Sequence, residues 1–469
     1  MLPSFILTFR PDIRLEESAS NTVLQTPIVS LDITQFSPGL QAAVRILCAG
    51  GSTEEELSDL VLEADGLDGL NKFNYYLQKF RDLGTICDTL CCDEFPMAAV
   101  VPLLPSYQFH FRKAAIDRPY LLSRFAYCRS DKNRTIWESP LSGAQIILSD
   151  WRGGAIASLL SQAQTCQNLA AKIPTISEET VQAFLGLLLS VGMLNEAQDG
   201  EAPTESKTLV QWEFHDLLFH TRSRTGRHGN PAGKTYRFKD KIESLPAIKV
   251  RKSIETIELY KPDIDRLKSK DRPFTWVLEE RKSIRNYGDK PIDDRQLGEF
   301  LYRSARVRNI FSNNSMECSN RPYPSGGACY ELELYIAVSR CENIPSGFYH
   351  YCPQTHRFNQ VCELNNDVEK LLKEAGGATG NRSFVPQVLM VLAARFPRVT
   401  WAYESVAYAL MLKDVGALYQ TMYLVATAMD LAPSAIGCGN ADLFAKIAGT
   451  DYFAESSVGE FILGSNYSS

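Results

Sequence analysis

The stretch Arg281-Lys282-Ser283-Ile284-Arg285-Asn286-Tyr287 follows an apolar-periodic run, Phe274, Val277 and Leu278, that reads as a helix, and it runs into a turn at Gly288-Asp289-Lys290-Pro291. Three cations around one hydroxyl make a phosphate grip: a guanidinium offers two parallel N–H donors, Lys282 a point charge, and Ser283 a bond to a phosphate or sugar oxygen. The competing reading is a solvated basic face at a helix end.

Downstream, Arg321-Pro322-Tyr323-Pro324-Ser325-Gly326-Gly327-Ala328-Cys329-Tyr330 sets two prolines before two glycines, which lets a flat ligand lie close to the backbone. An ordinary tight turn before a strand is the alternative, and Leu332, Leu334, Ile336 and Val338 do alternate as a strand should. Further on come Gly347-Phe348-Tyr349-His350-Tyr351, a buried-type strand over Val388 to Ala393, a helical pattern from Glu404 to Met429 ended by Pro433, and Gly437-Cys438-Gly439. The strand Glu460-Phe461-Ile462-Leu463 closes an α+β architecture.

Toward the N-terminus the pattern changes. A leading strand, Phe5-Ile6-Leu7, precedes a helix opened by Pro38-Gly39-Leu40 and ending near Gly50-Gly51. Ser52 with Glu55 reads as a capping box for a second helix through Leu57, Leu60 and Val61. A third helix carries Leu70, Phe73, Leu77, Phe80 and Leu83 and stops at Gly84, before extended residues from Thr85 to Leu90. Three helices and a strand pair make a winged-helix module. The pattern returns with a strand near Ala144 to Leu148 and helices through Ile156, Leu159 and Leu160 and through Val181, Phe184, Leu185 and Leu188. Leu77, Phe80, Leu83, Gly84 and Ile86 match Leu185, Leu188, Val191, Gly192 and Leu194 at one constant offset, an internal repeat. A polar run from Asn195 to Lys207 reads as a linker, so the expected division is two winged-helix-like modules, 1–115 and 116–205, and a third domain, 206–469.

At 469 residues, 45% hydrophobic and 22% charged, the chain describes globular domains with their own cores. No apolar run reaches membrane-span length and the start lacks a basic n-region, so the expected location is cytoplasmic, with no membrane partner. The twelve cysteines are scattered apart from Cys91-Cys92, which favours free thiols; Cys87 and Cys91 lack a second ligand pair, and His215 and His220 stand on different sides of a helix, so no metal is expected. Residues 1–205 carry 15 Lys+Arg against 25 Asp+Glu, a net of −10, while the remainder is +4. That sign disfavours a winged-helix DNA-binding regulator and any nucleic-acid partner.

Taken together, the Arg281 to Tyr287, Tyr323 to Tyr330, Gly347 to Tyr351 and Gly437 to Gly439 stretches, in that order, resemble the nitroreductase-like FMN flavoenzymes. Within them the chain is similar to the SagB/ThcOx-type azoline dehydrogenases, the cyanobactin oxidases above all. Trp212-Glu213-Phe214-His215-Asp216-Leu217-Leu218-Phe219-His220, continuing to Thr225-Gly226-Arg227-His228, is the most specific piece besides Tyr323 to Tyr330. The resemblance implies a C-terminal mixed sheet wrapped by helices, an intertwined homodimer, and FMN at the subunit interface. It sets Arg281, Lys282, Ser283 and Arg285 at the ribityl-phosphate end, Pro324, Ser325, Gly326 and Gly327 against the isoalloxazine, and Gly437 and Cys438 at a third flavin contact. Many nitroreductases add a cation near the C-terminus; Leu463 to Ser469 offers none, which puts more weight on Arg281 and Arg285.

The activity so implied is FMN-dependent oxidation of thiazolines or oxazolines to thiazoles or oxazoles in ribosomally made peptides, with dioxygen re-oxidising the flavin. The winged-helix repeats would recognise the azoline-containing peptide's leader. Related oxidases carry a Lys-Tyr pair after a tryptophan; the run here is Trp401-Ala402-Tyr403, so Tyr403 is the positional match for the proton acceptor and Lys413 the candidate substitute for the missing lysine. An NAD(P)H-dependent nitroreductase or ene-reductase is the alternative enzyme. No complete G-x-G-x-x-G follows a strand, which favours the oxidase.

Overall fold

The computed structural model describes the chain except residues 1–4, 18–21, 26–29, 34–36, 93–94, 105–106, 199–202, 204, 252, 254, 314–315 and 468–469. Residues 199–202 and 204 of the expected Asn195 to Lys207 linker, the first four residues and Ser468-Ser469 therefore lie outside the described residues. The chain forms two compact units, Met1–Asn230 and Pro231–Ser469.

In the first unit the helix Pro38–Ala49 starts on Pro38 and is followed by Gly50 and Gly51, both at positive φ. The capping box falls one residue later than expected: Thr53 accepts from the Glu56 amide and the Glu56 side chain accepts from the Thr53 amide. The two helices expected beyond it are one run, Glu54–Asp82, broken only at Gly66, whose φ of 68° interrupts the helical path. This run and its later counterpart Glu178–Ser190 end alike. Gly84 (φ 60°) and Gly192 (φ 69°) take the left-handed conformation, and the next amides reach back five residues, Thr85 to the Phe80 carbonyl and Met193 to the Leu188 carbonyl. The offset seen in the sequence is thus a repeated helix stop followed by a strand, Ile86–Cys92 in one copy and Leu194–Glu196 in the other.

The copies are not separate modules. One antiparallel seven-stranded sheet orders Ser52–Thr53, Phe5–Phe9, Ile86–Cys92, Phe95–Pro102, Ala144–Leu148, Arg134–Glu138 and Tyr127–Asp131. It crosses the expected boundary at 115/116: Ala144 to Leu148 pair with Pro102 to Ala98, so the outer edge of the first wing is already covered. The stretch 206–230 also groups with this unit rather than with the rest of the expected third domain, 206–469. The helix Phe214–Arg222 leans Phe214 edge-on against Tyr127, and Arg124 binds the Glu205 carboxylate and the Leu209 and Trp212 carbonyls.

The second unit is built on a sheet ordered Thr256–Glu258, Arg357–Glu363, Gly347–Cys352, Leu332–Val338, Val388–Arg395, Glu455–Ser465 and Leu431–Ile436. All its described pairings are antiparallel, where a mixed sheet was expected. Leu332–Val338 and Val388–Arg395 are buried at every residue, because helices cover both faces. Leu334 and Ile336 share one core with Met411, Leu418 and Met422 of the helix Ala407–Ala428; Tyr335 and Ala337 turn to the other, with Leu371 and Phe444. The helix expected from Glu404 starts at Ala407: Tyr403–Glu404 is a strand paired with Gly233–Lys234, and Ser405 at φ 60° makes the turn between them. Among the described residues no helix is long and apolar enough to cross a membrane.

Candidate active site

The Arg281 to Tyr287 segment leaves the helix Phe274–Glu280 as extended chain and is pinned from the inside. The Ile284 amide donates to the Pro433 carbonyl at 2.8 Å, and the Gly288 amide to the Ser465 carbonyl at 3.1 Å. The Tyr287 ring is buried so close to Gly464 that a β-carbon there would lie 2.4 Å from it. With Ile284 and Tyr287 anchoring the segment, Lys282, Ser283 and Arg285 are left exposed. The Arg281 guanidinium lies 5.3 Å from the centre of the Tyr423 ring, and the Tyr423 hydroxyl, 2.8 Å from Ser283 Oγ, also accepts from the Ala435 amide at 2.7 Å. Tyr423 was not singled out in the sequence, yet it sets both Arg281 and Ser283.

Gly437 and Cys438 continue the same edge. They follow the strand Leu431–Ile436, the one that holds Ile284, and precede the helix Ala441–Ala448, whose Asn440 cap accepts from the Leu443 amide at 2.9 Å. Both are exposed. Cys438 lines a cavity of about 490 Å³ together with Glu374, Asp442 and Glu460.

Pro324 to Gly327 form a second group. The Ser325 hydroxyl donates to Asp414 at 2.7 Å and accepts from the Tyr330 amide at 2.9 Å, while the Gly326 amide donates to the same carboxylate at 3.0 Å. Gly327 takes φ 61°, and a β-carbon on it would lie 2.3 Å from the Tyr403 hydroxyl. The glycine is thus required twice, by its backbone and by the approach of Tyr403. Beneath the turn Glu331 is buried, and its Oε1 has no hydrogen-bond partner among the described residues. Burial, and after it the charge of Asp414, pushes the Glu331 carboxyl up to about 8; burial raises Asp414 as well. The pair therefore holds a proton at neutral pH. Burial first, and then the neighbouring Cys329 thiol, raises the Tyr403 hydroxyl, while Lys234 lowers it.

Lys413, the expected substitute for the missing lysine, is exposed; its neighbour Asp414 is the residue turned to the glycines. Asp414 was not singled out in the sequence.

The two groups hang on the helix Ala407–Ala428, one through Asp414 and the other through Tyr423. Nine residues of α-helix are two and a half turns, so these side chains leave opposite faces, about 13.5 Å apart along the axis. One chain keeps its cationic segment and its glycine turn apart. Each group on its own fits part of a flavin nucleotide: the exposed cations and Ser283 suit a phosphate, and the turn without side chains at Gly326-Gly327 suits a flat ring.

The α+β second unit has the nitroreductase fold, and the first unit is an N-terminal extension to it. Three family models match along the chain: the ThcOx helix-turn-helix domain over residues 1–111, the cyanobactin oxidase ThcOx over 120–229, and the nitroreductase family over 278–465. The chain belongs to the nitroreductase-like oxidoreductases of ThcOx/SagB type. It is 28% identical over 185 residues to a Methanocaldococcus jannaschii protein named as a nitroreductase, covering 39% of this chain and 85% of that one. To the microcin B17-processing protein McbC of Escherichia coli it is 25% identical over 218 residues, 45% of this chain and 75% of that one. To the trifolitoxin-processing protein TfxB of Rhizobium leguminosarum bv. trifolii it is 26% identical over 165 residues, 34% of this chain and 44% of that one.

Proposed function

We propose that this chain is an FMN-dependent oxidase that converts thiazolines, with oxazolines as the second candidate ring, to thiazoles and oxazoles in ribosomally made peptides of cyanobactin type, acting as a cytoplasmic homodimer with dioxygen as final acceptor. The observation that supports the reading is the Tyr403 hydroxyl set against Gly327, where a proton acceptor would stand beside the surface suited to a flat cofactor. McbC and TfxB, both named as peptide-processing proteins, support a peptide substrate.

Oxidising an azoline removes one proton and one hydride; bound FMN would supply the hydride acceptor, and the protein must take the proton. Arg281, Lys282, Ser283 and Arg285 would hold the phosphate, Pro324 to Gly327 the ring, and Gly437-Cys438 a third edge. Tyr403 receives the proton.

The opposed faces of Ala407–Ala428 support the dimer, since a second copy can bring its glycine turn to the cationic segment of the first. Exposed apolar side chains on this unit, Phe274, Trp276, Leu278, Tyr408, Leu412 and Phe453 (85% exposed), are a surface that a second copy would cover. Leader recognition by strand addition fits the far edge, Tyr127–Asp131, because the first wing's edge is taken by Ala144–Leu148.

The test is an anaerobic visible spectrum of the purified protein before and after a thiazoline-containing peptide and, separately, NADH. Bleaching of a flavin band by the peptide, with colour restored by air, is expected. Bleaching by NADH alone would make the chain a reductase, the reading that the M. jannaschii relative favours. A protein that takes up no FMN would overturn both.

A further inference from the structure

The strand Tyr403–Glu404 is held by a short antiparallel partner that comes from the start of the second unit, 169 residues earlier in the chain. Lys234 pairs with Tyr403 and Gly233 with Glu404. The register is fixed on both sides: the Tyr236 amide donates to the Ala402 carbonyl at 3.1 Å, the Thr235 hydroxyl donates to the Glu404 carboxylate at 3.1 Å, and Ser405 donates to the Pro231 carbonyl at 2.8 Å. The Lys234 ammonium then comes to 6.0 Å from the centre of the Tyr403 ring and 5.3 Å from that of Tyr236. The ring thus has Lys234 on one side, and its hydroxyl abuts Gly327.

We infer that Lys234 is the positioning residue of the proton-transfer step: its ammonium, held by strand pairing against the Tyr403 ring, stabilises the phenolate that accepts the proton. The inference rests on the reading of Tyr403 as that acceptor. A phenolate spreads its charge into the ring, so a cation near the ring favours ionisation even without touching the oxygen. The step balances as two C–H bonds broken and one ring double bond formed: one ring carbon gives its proton to the Tyr403 oxygen, and the adjacent carbon gives up a hydride, for which bound FMN would be the acceptor.

The surroundings otherwise oppose ionisation. Burial, the Cys329 thiol, Tyr236 and Asp414 all raise the Tyr403 hydroxyl, and Lys234 alone among these neighbours lowers it. Burial pulls the Lys234 ammonium down, but its hydrogen bond to Tyr236 and the charges of Tyr236, Tyr403 and Cys329 hold it above the ordinary lysine value.

The test is a spectrophotometric titration of the full-length protein at tyrosinate wavelengths, with the Tyr403→Phe curve subtracted so that the difference reports Tyr403. The same pair is measured in Lys234→Met and Lys234→Arg backgrounds. Lys234→Met is expected to raise the Tyr403 pKa by about one pH unit, as one charge near 6 Å in a half-solvated site would. Lys234→Arg is expected to stay near the parent value, and Lys234→Gln serves if the methionine variant fails to fold. An unchanged titration in the neutral variants overturns the inference, whatever the activity. A shifted titration in a protein that oxidises no azoline peptide at any pH overturns the functional reading and leaves the Lys234–Tyr403 coupling standing.

Discussion

Ser325 and Asp414 lie 89 residues apart in the chain and meet at 2.7 Å, the serine hydroxyl donating to a carboxylate that also takes the Gly326 amide. This contact fixes the turn on which the proposed ring-binding surface depends. Asp414→Ala leaves a partly buried amide and hydroxyl without their acceptor, a loss of about 1 kcal/mol or more. FMN affinity, followed by quenching of flavin fluorescence, is expected to fall at least tenfold; an unchanged affinity would separate the turn from the flavin.

Glu331→Gln should stabilise the protein in a pH-dependent way. The folded carboxyl titrates at about 8, above its ordinary value of 4.5. Below the ordinary value both states are protonated and the group contributes nothing. As pH rises toward 8 the unfolded chain ionises while the folded one resists, so stability drains away and the loss is complete above the folded value. Melting curves of parent and variant should coincide near pH 4.5 and separate by roughly 5 °C, variant higher, at pH 8.

Arg281→Ala is expected to purify without flavin, read from the visible absorbance of the isolated protein. Tyr423→Phe isolates the second half of the same grip, since it keeps the ring under Arg281 but removes the hydroxyl that meets Ser283 and the Ala435 amide. Its expected cost is about 1 kcal/mol, a roughly fivefold weaker FMN dissociation constant.

Gly327→Ala meets two obstacles, a left-handed backbone and the Tyr403 hydroxyl in the space of the new methyl. A destabilisation of about 1–2 kcal/mol is expected from the backbone alone. The pairing of Lys234 with Tyr403 should also loosen, visible as faster amide exchange at Tyr403.

Tyr403→Phe should keep flavin and peptide binding while lowering the single-turnover rate of flavin bleaching by about 10²-fold or more. Turnover at the parent rate would remove Tyr403 as the proton acceptor.

What could be read in the sequence was local. Leu332 to Val338 showed its strand by alternation, and Leu77 to Ile86 matched Leu185 to Leu194 because a helix stop needs the same glycine in both copies. The capping box slipped by one residue because Ser52/Glu55 and Thr53/Glu56 satisfy the same pattern, and only packing chooses between them. Of the proposed site, the cationic segment and the glycine turn were legible as motifs. Asp414 and Lys234 were not, since each acquires its place only through partners that folding brings from 88 and 169 residues away. The shared sheet of the N-terminal unit was hidden for the same reason: nothing in Ala144 to Leu148 announces that its neighbour is Ala98 to Pro102.

The opposed faces of Ala407–Ala428 carry a genetic consequence. If every complete site borrows its cationic segment from one copy and its glycine turn from the other, two inactive variants can rescue each other. In a mixed pair of Arg281→Ala and Gly327→Ala chains, one site collects both lesions and the other collects neither. Co-expression should then restore one intact site per mixed dimer from two parents that each have none.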